Sequence, residues 1–243
     1  MDLLKQLLSH TSVRKFAKDK LSPRLKDQLL CAAQSGSSSN FVQAYSIIEV
    51  TDPQKLAAIE ELANGFGYIK DAGAFYVFVA DLNKHAQILT QHQQPLEALK
   101  NEESFIVSVV DTTIAAQTMA VYAESVGLGI CYIGGIRNDL FKMAELLELP
   151  EYTFPLFGLS VGYPARKNEV KPRLPVEDIQ HTDSYQPLSS ERIDAYDQLM
   201  EDYYAGRTTN AADADWSKKI LAHFHEPRRA HTTKFLKKQG FEF

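Results

Sequence analysis

A long apolar segment, residues 104–126, constrains the fold of this chain most strongly. Its strongly polar interruptions are Asp111, Gln117 and Glu124, and apolar or small residues otherwise cover every angular face of a helix. In a globular protein such a helix is buried on nearly all sides, and at about 1.5 Å per residue it spans roughly 35 Å. Its longest uncharged run, residues 112–123, is shorter than the ~20 apolar residues that a membrane span requires. We therefore predict a long, buried central helix.

Glycines mark the end of this segment. Gly127 and Gly129 are suited to ending a helix. Residues 130–133 then have the composition of a buried strand, which carries Gly134 and Gly135 at its tip. Paired glycines let a backbone approach a flat cofactor closely, but they equally form an ordinary turn. Both interpretations stay open on these residues alone.

The first 188 residues otherwise alternate between helix and strand patterns. Ser22 and Pro23 have the hydroxyl cap and first-turn proline of a helix start. We predict helices at residues 2–8, 22–34, from 53 onward and at 138–147, and strands at 46–50, 75–80 and 156–161. This alternation predicts a layered α/β or α+β domain whose sheet packs against the long helix.

The chain changes character after Gly162. Prolines punctuate an irregular stretch, and from residue 189 onward the sequence is helical but polar, with helices predicted at 191–204 and 216–239 and a loop at 208–215. Such a segment has too little apolar surface for a core of its own. We predict a core at residues 1–188 and a helical extension at 189–243 that wraps the main domain or, in preference, a second copy of it.

Composition and charge limit the function classes. With 26 basic and 31 acidic residues in 243, the formal net charge is −5, which argues against broad binding to nucleic acid phosphates. Cys31 and Cys131 stand in apolar surroundings outside any CxxC pair, so we expect buried free thiols in a reducing compartment. A basic and apolar leader is not visible near the N terminus, so we expect a cytoplasmic protein without a membrane anchor.

Polar residues beside the predicted loops form a further pattern. Taken singly, His10 fits a surface or capping histidine, Arg14 a solvated face, residues 37–40 a plain loop and residues 171–173 a surface turn. Together they supply a histidine, cations and hydroxyls beside the Gly-Gly tip. Guanidinium and ammonium groups neutralise phosphate, and hydroxyls bond a sugar chain. The combination therefore indicates an anionic phosphate carried by a planar ring system.

At these residues the chain resembles the oxygen-insensitive nitroreductases, in particular the NADPH-preferring, FMN-dependent group that includes NADPH–flavin oxidoreductases. The motifs occur in the family's order and cover nearly the whole chain: HxSVR at 10–14, SSSxFxQ at 37–43, YIGGIRN at 132–138, PLFGL at 155–159, KPRLP at 171–175 and SYQPL at 184–188. The resemblance implies an α+β, nitroreductase-like fold with a central mixed or antiparallel sheet around a long buried helix. It also implies an intertwined homodimer that holds FMN at the subunit interface.

The resemblance assigns roles within that site. Residues 10–12 and 171–173 would hold the phosphate and ribityl chain, Arg14 would lie near the N1–O2 side of the ring, and the glycine pair would direct an N–H at N5 or O4. Because the flavin itself accepts the hydride, we assign no catalytic side chain and no metal ligand. The predicted cofactor-binding residues are His10, Thr11, Ser12, Val13, Arg14, Ser38, Ser39, Asn40, Tyr132, Ile133, Gly134, Gly135, Lys171 and Arg173.

The family's NADPH preference rests on basic residues of the C-terminal extension, and Arg207 and Arg228 match those positions; the alternative is that both are loop arginines in water. A Gly-x-Gly-x-x-Gly motif is missing from the sequence, so a Rossmann site for the dinucleotide is not expected. NADPH would visit the flavin transiently and be replaced by the oxidant in a ping-pong cycle. Two residues depart from the family pattern. Thr11 replaces an arginine that many relatives carry, and Phe66 replaces a common glutamine, which predicts weaker phosphate binding and a lost polar contact at the ring edge.

The resulting hypothesis is an FMN-dependent NADPH oxidoreductase that reduces nitroaromatics, quinones or free flavins. One alternative is a dedicated flavin reductase that supplies reduced FMN to another enzyme, and a second is a flavin-binding protein without turnover. The expected partners are these small molecules and a second copy of the chain, and neither nucleic acid nor a membrane is expected.

Overall fold

The computed structural model describes residues 2–65, 67–207, 212 and 214–243. The chain divides into two compact units, each described here by itself. The first contains the residues up to Asn168 together with Arg229–Phe243, and the second contains Glu169–Arg228. The predicted departure at Phe66 and most of the predicted loop at 208–215 lie outside the described residues.

An antiparallel sheet forms the centre of the first unit. Its strands are β1 (Tyr45–Glu49), β2 (Ala74–Asp81), β3 (Gly129–Ile133) and β4 (Thr153–Gly162), in the order β1-β2-β4-β3. Every neighbouring pair is antiparallel. All eight residues of β2 are buried, since this strand lies inside the sheet and its run of valine, phenylalanine and tyrosine suits burial on both faces. The α+β class is confirmed.

Helices cover this sheet, and several begin where the sequence predicts. In the first unit they are α1 (Leu3–Leu8), α2 (Pro23–Gln34), α3 (Pro53–Ala63), α4 (Asn83–Gln91), α5 (Glu102–Ser125), α6 (Leu140–Leu146) and, near the C terminus, α9 (Thr232–Lys238). The second unit holds α7 (Ser190–Ala205) and α8 (Trp216–Phe224). Ser22 accepts the N–H of Leu25 and so caps α2, as predicted.

The central helix α5 is present, but its burial differs from the prediction. By length and composition alone, α5 is long and apolar enough to cross a membrane. In the structure one face of α5 packs on the sheet and on α2, with Ala116 and Met119 fully buried. Ile106 and Val110 on another face are 53% and 46% exposed. Burial on nearly all sides is therefore wrong for a single chain. Gly127, with φ 84°, follows the helix end, whereas Gly129 is the first residue of β3.

The C-terminal segment is interrupted where one helix from 216 to 239 was predicted. The helix α8 ends at Phe224 and α9 begins at Thr232, because Pro227 cannot donate a helical hydrogen bond and Arg229 adopts a left-handed φ of 55°. The side chains of α9 join the core of the first unit, where Phe235 packs edge-on against Phe154.

The second unit has a small apolar cluster of its own, built on Tyr196, Met200 and Tyr204 of α7 with Trp216 packed against it. The expectation that the tail cannot form any core is therefore wrong for this part. A boundary at residue 188 and the wrapping of a partner by residues 189–243 stay predictions.

The two cysteines differ in environment. Cys131 is buried in β3, and burial raises the pKa of its thiol. Cys31 is exposed, so the prediction of two buried thiols is wrong for this residue. Leu29 and Ala33 of α2 are buried against the core. Cys31 lies midway between them, on the opposite side of the helix, and therefore faces outward.

Candidate functional site

The polar residues that interrupt α5 contact the predicted site segments. Glu124 Oε1 lies 2.7 Å from Nδ1 of His10, and Gln117 Oε1 accepts a hydrogen bond of 3.1 Å from the hydroxyl of Tyr132. Partial burial raises the pKa of Tyr132 above its ordinary value. These two contacts attach the N-terminal loop and the end of β3 to one helix.

The third interruption, Asp111, holds the serine loop (residues 38–44). Its Oδ1 accepts the backbone N–H of Ser39 at 2.9 Å, and its Oδ2 accepts that of Ala44 at 3.0 Å. From Asp111 to Glu124 the helix advances about 20 Å at 1.5 Å per residue. One rigid element therefore positions three segments that the sequence analysis assigned to the cofactor.

The serine loop has an unusual backbone. Asn40, Phe41 and Gln43 have φ values of 45°, 60° and 52°, a left-handed region that costs residues other than glycine about 1–2 kcal/mol each. Ser38 Oγ accepts the N–H of Gln43 at 3.3 Å, and Phe41 is 79% exposed. Conformations of this kind persist where surrounding contacts impose them, and they concentrate at functional sites.

The N-terminal loop, residues 10–14, runs beside β3. Val13 donates its N–H to the carbonyl of Ile130 at 2.8 Å, and its buried side chain packs against Gly129. Asn168 donates from its amide to the carbonyl of Ser12 at 2.8 Å. These contacts fix the backbone of the loop, with Thr11 and Ser12 only partly buried. The side chain of Val13 therefore acts in packing, and a cofactor contact from its backbone stays a prediction.

Arg14 is the exposed cation of this loop. It follows Val13, whose N–H is bonded to Ile130 of β3, and its positive charge opposes the effect of burial on the pKa of the Cys131 thiol. Among the residues that the structure describes, the Arg14 side chain makes no hydrogen bond or ion pair. An exposed guanidinium without a partner inside the protein is suited to binding an anion.

The two glycines at the tip of β3 have different reasons to be glycine. A Cβ on Gly135 would lie 2.3 Å from the carbonyl oxygen of Ala63, at the end of α3, whereas a Cβ on Gly134 would meet Arg137 at 3.4 Å. Packing inside the protein therefore accounts for Gly135. A side chain at Gly134 would make only ordinary contacts, with the guanidinium of Arg137, so internal packing does not account for this glycine and the close approach to a cofactor stays a prediction. Ile133 just before them is buried in the core.

The substitution Gly135→Ala is expected to destabilise the protein by about 1–3 kcal/mol, because the added methyl group overlaps the backbone of Ala63. Gly134→Ala, at an ordinary contact distance, serves as the matched control and is expected to change the free energy of unfolding by less than about 1 kcal/mol. Chemical denaturation of the two cofactor-free variants measures the difference. Equal losses in both would contradict the packing assignment of Gly135.

The remaining predicted ligands belong to the second unit. Lys171 is exposed, with Nζ 5.5 Å from the ring centre of Tyr204, and Lys219 lies over the same ring at 4.5 Å. Arg173 is exposed, and its charge lowers the pKa of Tyr196, which burial raises by more. Arg228 Nη1 lies 2.9 Å from Nδ1 of His223. Their participation in cofactor or nucleotide binding stays a prediction.

Arg207 lies in a more enclosed position than a loop arginine in water. Its side chain is 15% exposed, its Cζ lies 5.5 Å from the ring centre of Tyr203, and its Nε lies 4.0 Å from Glu169 Oε2. That Nε has no hydrogen-bond partner among the described residues. The side chain is packed and mostly buried, so the alternative of a loop arginine in water is wrong for Arg207.

The first unit fits a flavin in its donor chemistry. Arg14 offers a positive charge without a partner among the described residues, Gly134 has no side chain at the tip of β3, and the buried carboxylate of Asp111 holds the serine loop. The hydroxyl of Tyr132 already donates its hydrogen bond to Gln117, so it is not free to donate one to a ligand.

Comparison with known proteins decides the family. The model of the nitroreductase family matches residues 7–163, and the model of its C-terminal domain matches residues 171–243. The chain belongs to the nitroreductase family. Among its relatives is a protein of Bacillus subtilis named FMN reductase (NADPH), which is 40% identical over 98% of this chain and 97% of that protein.

Two further nitroreductases support this assignment. The oxygen-insensitive NADPH nitroreductase of Salmonella typhimurium is 38% identical over 97% of this chain and 96% of its own length. The solved structure of the NfrA1 nitroreductase from B. subtilis superimposes with a TM-score of 0.95 at 40% identity and covers 99% of each chain. The nitroreductase-like fold predicted from the motifs is therefore confirmed.

Three residues that contact the predicted site segments have no role in the predictions from sequence. Asp111, Gln117 and Glu124 stood out as polar interruptions of an apolar helix, but no role was assigned to them. Burying a charged side chain in an apolar helix costs free energy unless hydrogen bonds or an opposite charge compensate it. The position of these polar residues in α5 therefore indicated that each has a partner elsewhere in the protein. Their partners could not be identified because they lie far away in the sequence.

Proposed function

We propose that this nitroreductase is an FMN-dependent NADPH oxidoreductase that reduces nitroaromatics, quinones or flavins. The observation that carries the proposal is the position of Arg14 in a loop that is hydrogen-bonded to β3, where its side chain has no hydrogen bond or ion pair to any described residue. Similarity along the whole chain to an FMN reductase (NADPH) and to an NADPH nitroreductase supports the reaction class.

The residues of the chain would serve binding and orientation. The charge of Arg14 would stabilise negative charge on the ring, the N–H of Gly134 would donate to its edge, and Ser38, Ser39 and Asn40 would line one side. Bound FMN supplies the hydride acceptor, so the protein needs no nucleophile or general base of its own. Lys171 and Arg173 would neutralise the phosphate.

A dedicated flavin reductase is the second candidate, because one relative of similar length is named an FMN reductase. A flavin-binding protein without turnover is the third. A yellow protein that NADPH bleaches rapidly under anaerobic conditions would exclude the third candidate. Steady-state rates with nitrofurazone, a quinone and free FMN would then separate the first two, with parallel double-reciprocal lines expected for ping-pong kinetics. A colourless protein that does not bind added FMN would overturn the proposal.

A cytoplasmic homodimer is the proposed state of the enzyme. Ile106 and Val110 on α5 are apolar and exposed, and α1 adds exposed leucines at positions 3, 4, 7 and 8. Exposed apolar surface of this extent marks an interaction site. The extension at 189–243 would add to an interface above ~2,000 Å², the range of obligate dimers.

Replacement of Ile106 by glutamate is expected to convert the dimer into monomers at micromolar concentration, because a charge would then be buried in an apolar interface. Ile88→Glu on α4 is the matched control, since Ile88 is 55% exposed and lies on a different helix. Sedimentation velocity of the wild type and both variants measures the change. A wild-type monomer, or an unchanged dimer in Ile106→Glu, would contradict the proposed interface.

A further inference from the structure

Asp111 is a buried charge that the proposed reaction does not use. It lies in the middle of α5, its residue is 1% exposed, and among the described residues no lysine, arginine or histidine forms an ion pair with it. A carboxylate removed from water without a counter-charge is costly unless hydrogen bonds satisfy it. Here the two backbone N–H groups of Ser39 and Ala44 satisfy one oxygen each.

The two donors lie five residues apart and enclose the strained part of the serine loop. Asn40, Phe41 and Gln43, the three residues in left-handed conformation, all lie between them. The carboxylate therefore joins the start of the loop to its end, in addition to the hydrogen bond that Ser38 Oγ accepts from the N–H of Gln43. Beyond Ala44 the chain continues directly into β1, at Tyr45, so the far end is attached to the sheet.

We propose that Asp111 is the positioning residue of the flavin site, which clasps the serine loop by both ends so that Ser38, Ser39 and Asn40 face the cofactor. This inference rests on the proposed function for the identity of the ligand. The clasp itself rests only on the hydrogen bonds and on the backbone of the loop. Asp111 touches no reacting atom and acts through the loop.

The substitution Asp111→Asn separates this role from simple packing. Asparagine has nearly the same shape, but its NH2 group faces one of the two N–H donors, so only one of the two bonds can form. The serine loop then loses one of its two hydrogen bonds to α5. The expected result is a rise of about tenfold or more in the FMN dissociation constant of the apoprotein, measured by quenching of flavin fluorescence.

Thr112→Val is the matched control. Thr112 is the next residue of α5, is fully buried, and donates its hydroxyl to the carbonyl of Ser108 at 2.6 Å within the same helix. Its replacement disturbs the helix interior without touching the serine loop, so the FMN dissociation constant is expected to stay within about twofold of wild type. Equal weakening in both variants would mean that Asp111 is only structural and would overturn the proposal.

Proteolysis of the apoprotein gives a readout that needs no flavin. Phe41 is exposed within the loop, so chymotrypsin cleavage after Phe41 is expected to be at least about tenfold faster in Asp111→Asn than in wild type or Thr112→Val. An unchanged cleavage rate would overturn the clasp. If the wild type also fails to bind FMN, the proposed function fails, whereas the cleavage rates still decide the clasp.

Hydrogen exchange of the wild type covers the case in which Asp111→Asn does not fold. The amides of Ser39 and Ala44 are expected to exchange as slowly as the amides of β2, although Ser39 is only partly buried. Fast exchange of both amides would overturn the proposal without any variant.

Discussion

Replacement of Arg14 by alanine is expected to weaken FMN binding roughly 10- to 100-fold. The structure leaves this exposed guanidinium without a hydrogen bond or ion pair to any described residue, beside the strand that ends in Gly134. A charge-assisted contact is worth about 1.5–3 kcal/mol, and every 1.4 kcal/mol changes a dissociation constant about tenfold. Titration of the apoprotein with FMN measures the effect.

Lys15→Ala is the control for this experiment. Lys15 is the adjacent exposed cation and is not among the predicted ligands. Its replacement by alanine removes the same net charge as Arg14→Ala. FMN binding is expected to change less than about twofold in this variant. Arg173→Ala tests the same prediction from the second unit, and an Arg173→Ala protein with full flavin occupancy after extensive dialysis would count against that residue. Equal losses of FMN affinity in Lys15→Ala and Arg14→Ala would show that Arg14 acts only through the net charge of the protein and not through a direct contact.

Replacement of Arg207 by alanine is expected to raise KM for NADPH by roughly one to two orders of magnitude, which corresponds to ~1.4–2.8 kcal/mol of lost binding. NADPH differs from NADH by a 2′-phosphate dianion, and a protein of net charge −5 supplies no long-range attraction for it. A local cation must do so, and the planar guanidinium suits phosphate. The stacked position of Arg207 on Tyr203 lowers the entropy that binding has to remove.

Because NADH lacks the 2′-phosphate, a comparison of NADH with NADPH shows whether Arg207 contacts that phosphate or has only a structural role. In Arg207→Ala the maximal rate and the NADH activity are expected to stay near wild type, since the 2′-phosphate lies far from the hydride. Arg228→Ala, at the second matched position, is expected to show a smaller change. Stopped-flow reduction by each nucleotide decides the matter, and equal losses with NADH and NADPH would show that Arg207 only supports the packing of Tyr203.

Local sequence pattern was sufficient for most of the elements. The start of α2 at Pro23 and the length of α5 follow from capping and periodicity, which act within a few residues. The helix α4 was not predicted, because Leu82 at its N-cap position offers no side-chain acceptor and its polar composition resembles a loop. The break between α8 and α9 was missed although Pro227 marks it in the sequence.

The amino-acid sequence by itself determined the strands, the central helix, the family and the residues proposed to bind the flavin, because motifs and periodicities are local. Only the tertiary structure decided that Gly135 is required by Ala63, that Asp111 holds the serine loop, and that one face of α5 stays exposed in a single chain. Each of these depends on residues far apart in sequence. Such contacts form only when the folded backbone brings distant residues together, so they cannot be predicted from the local sequence pattern.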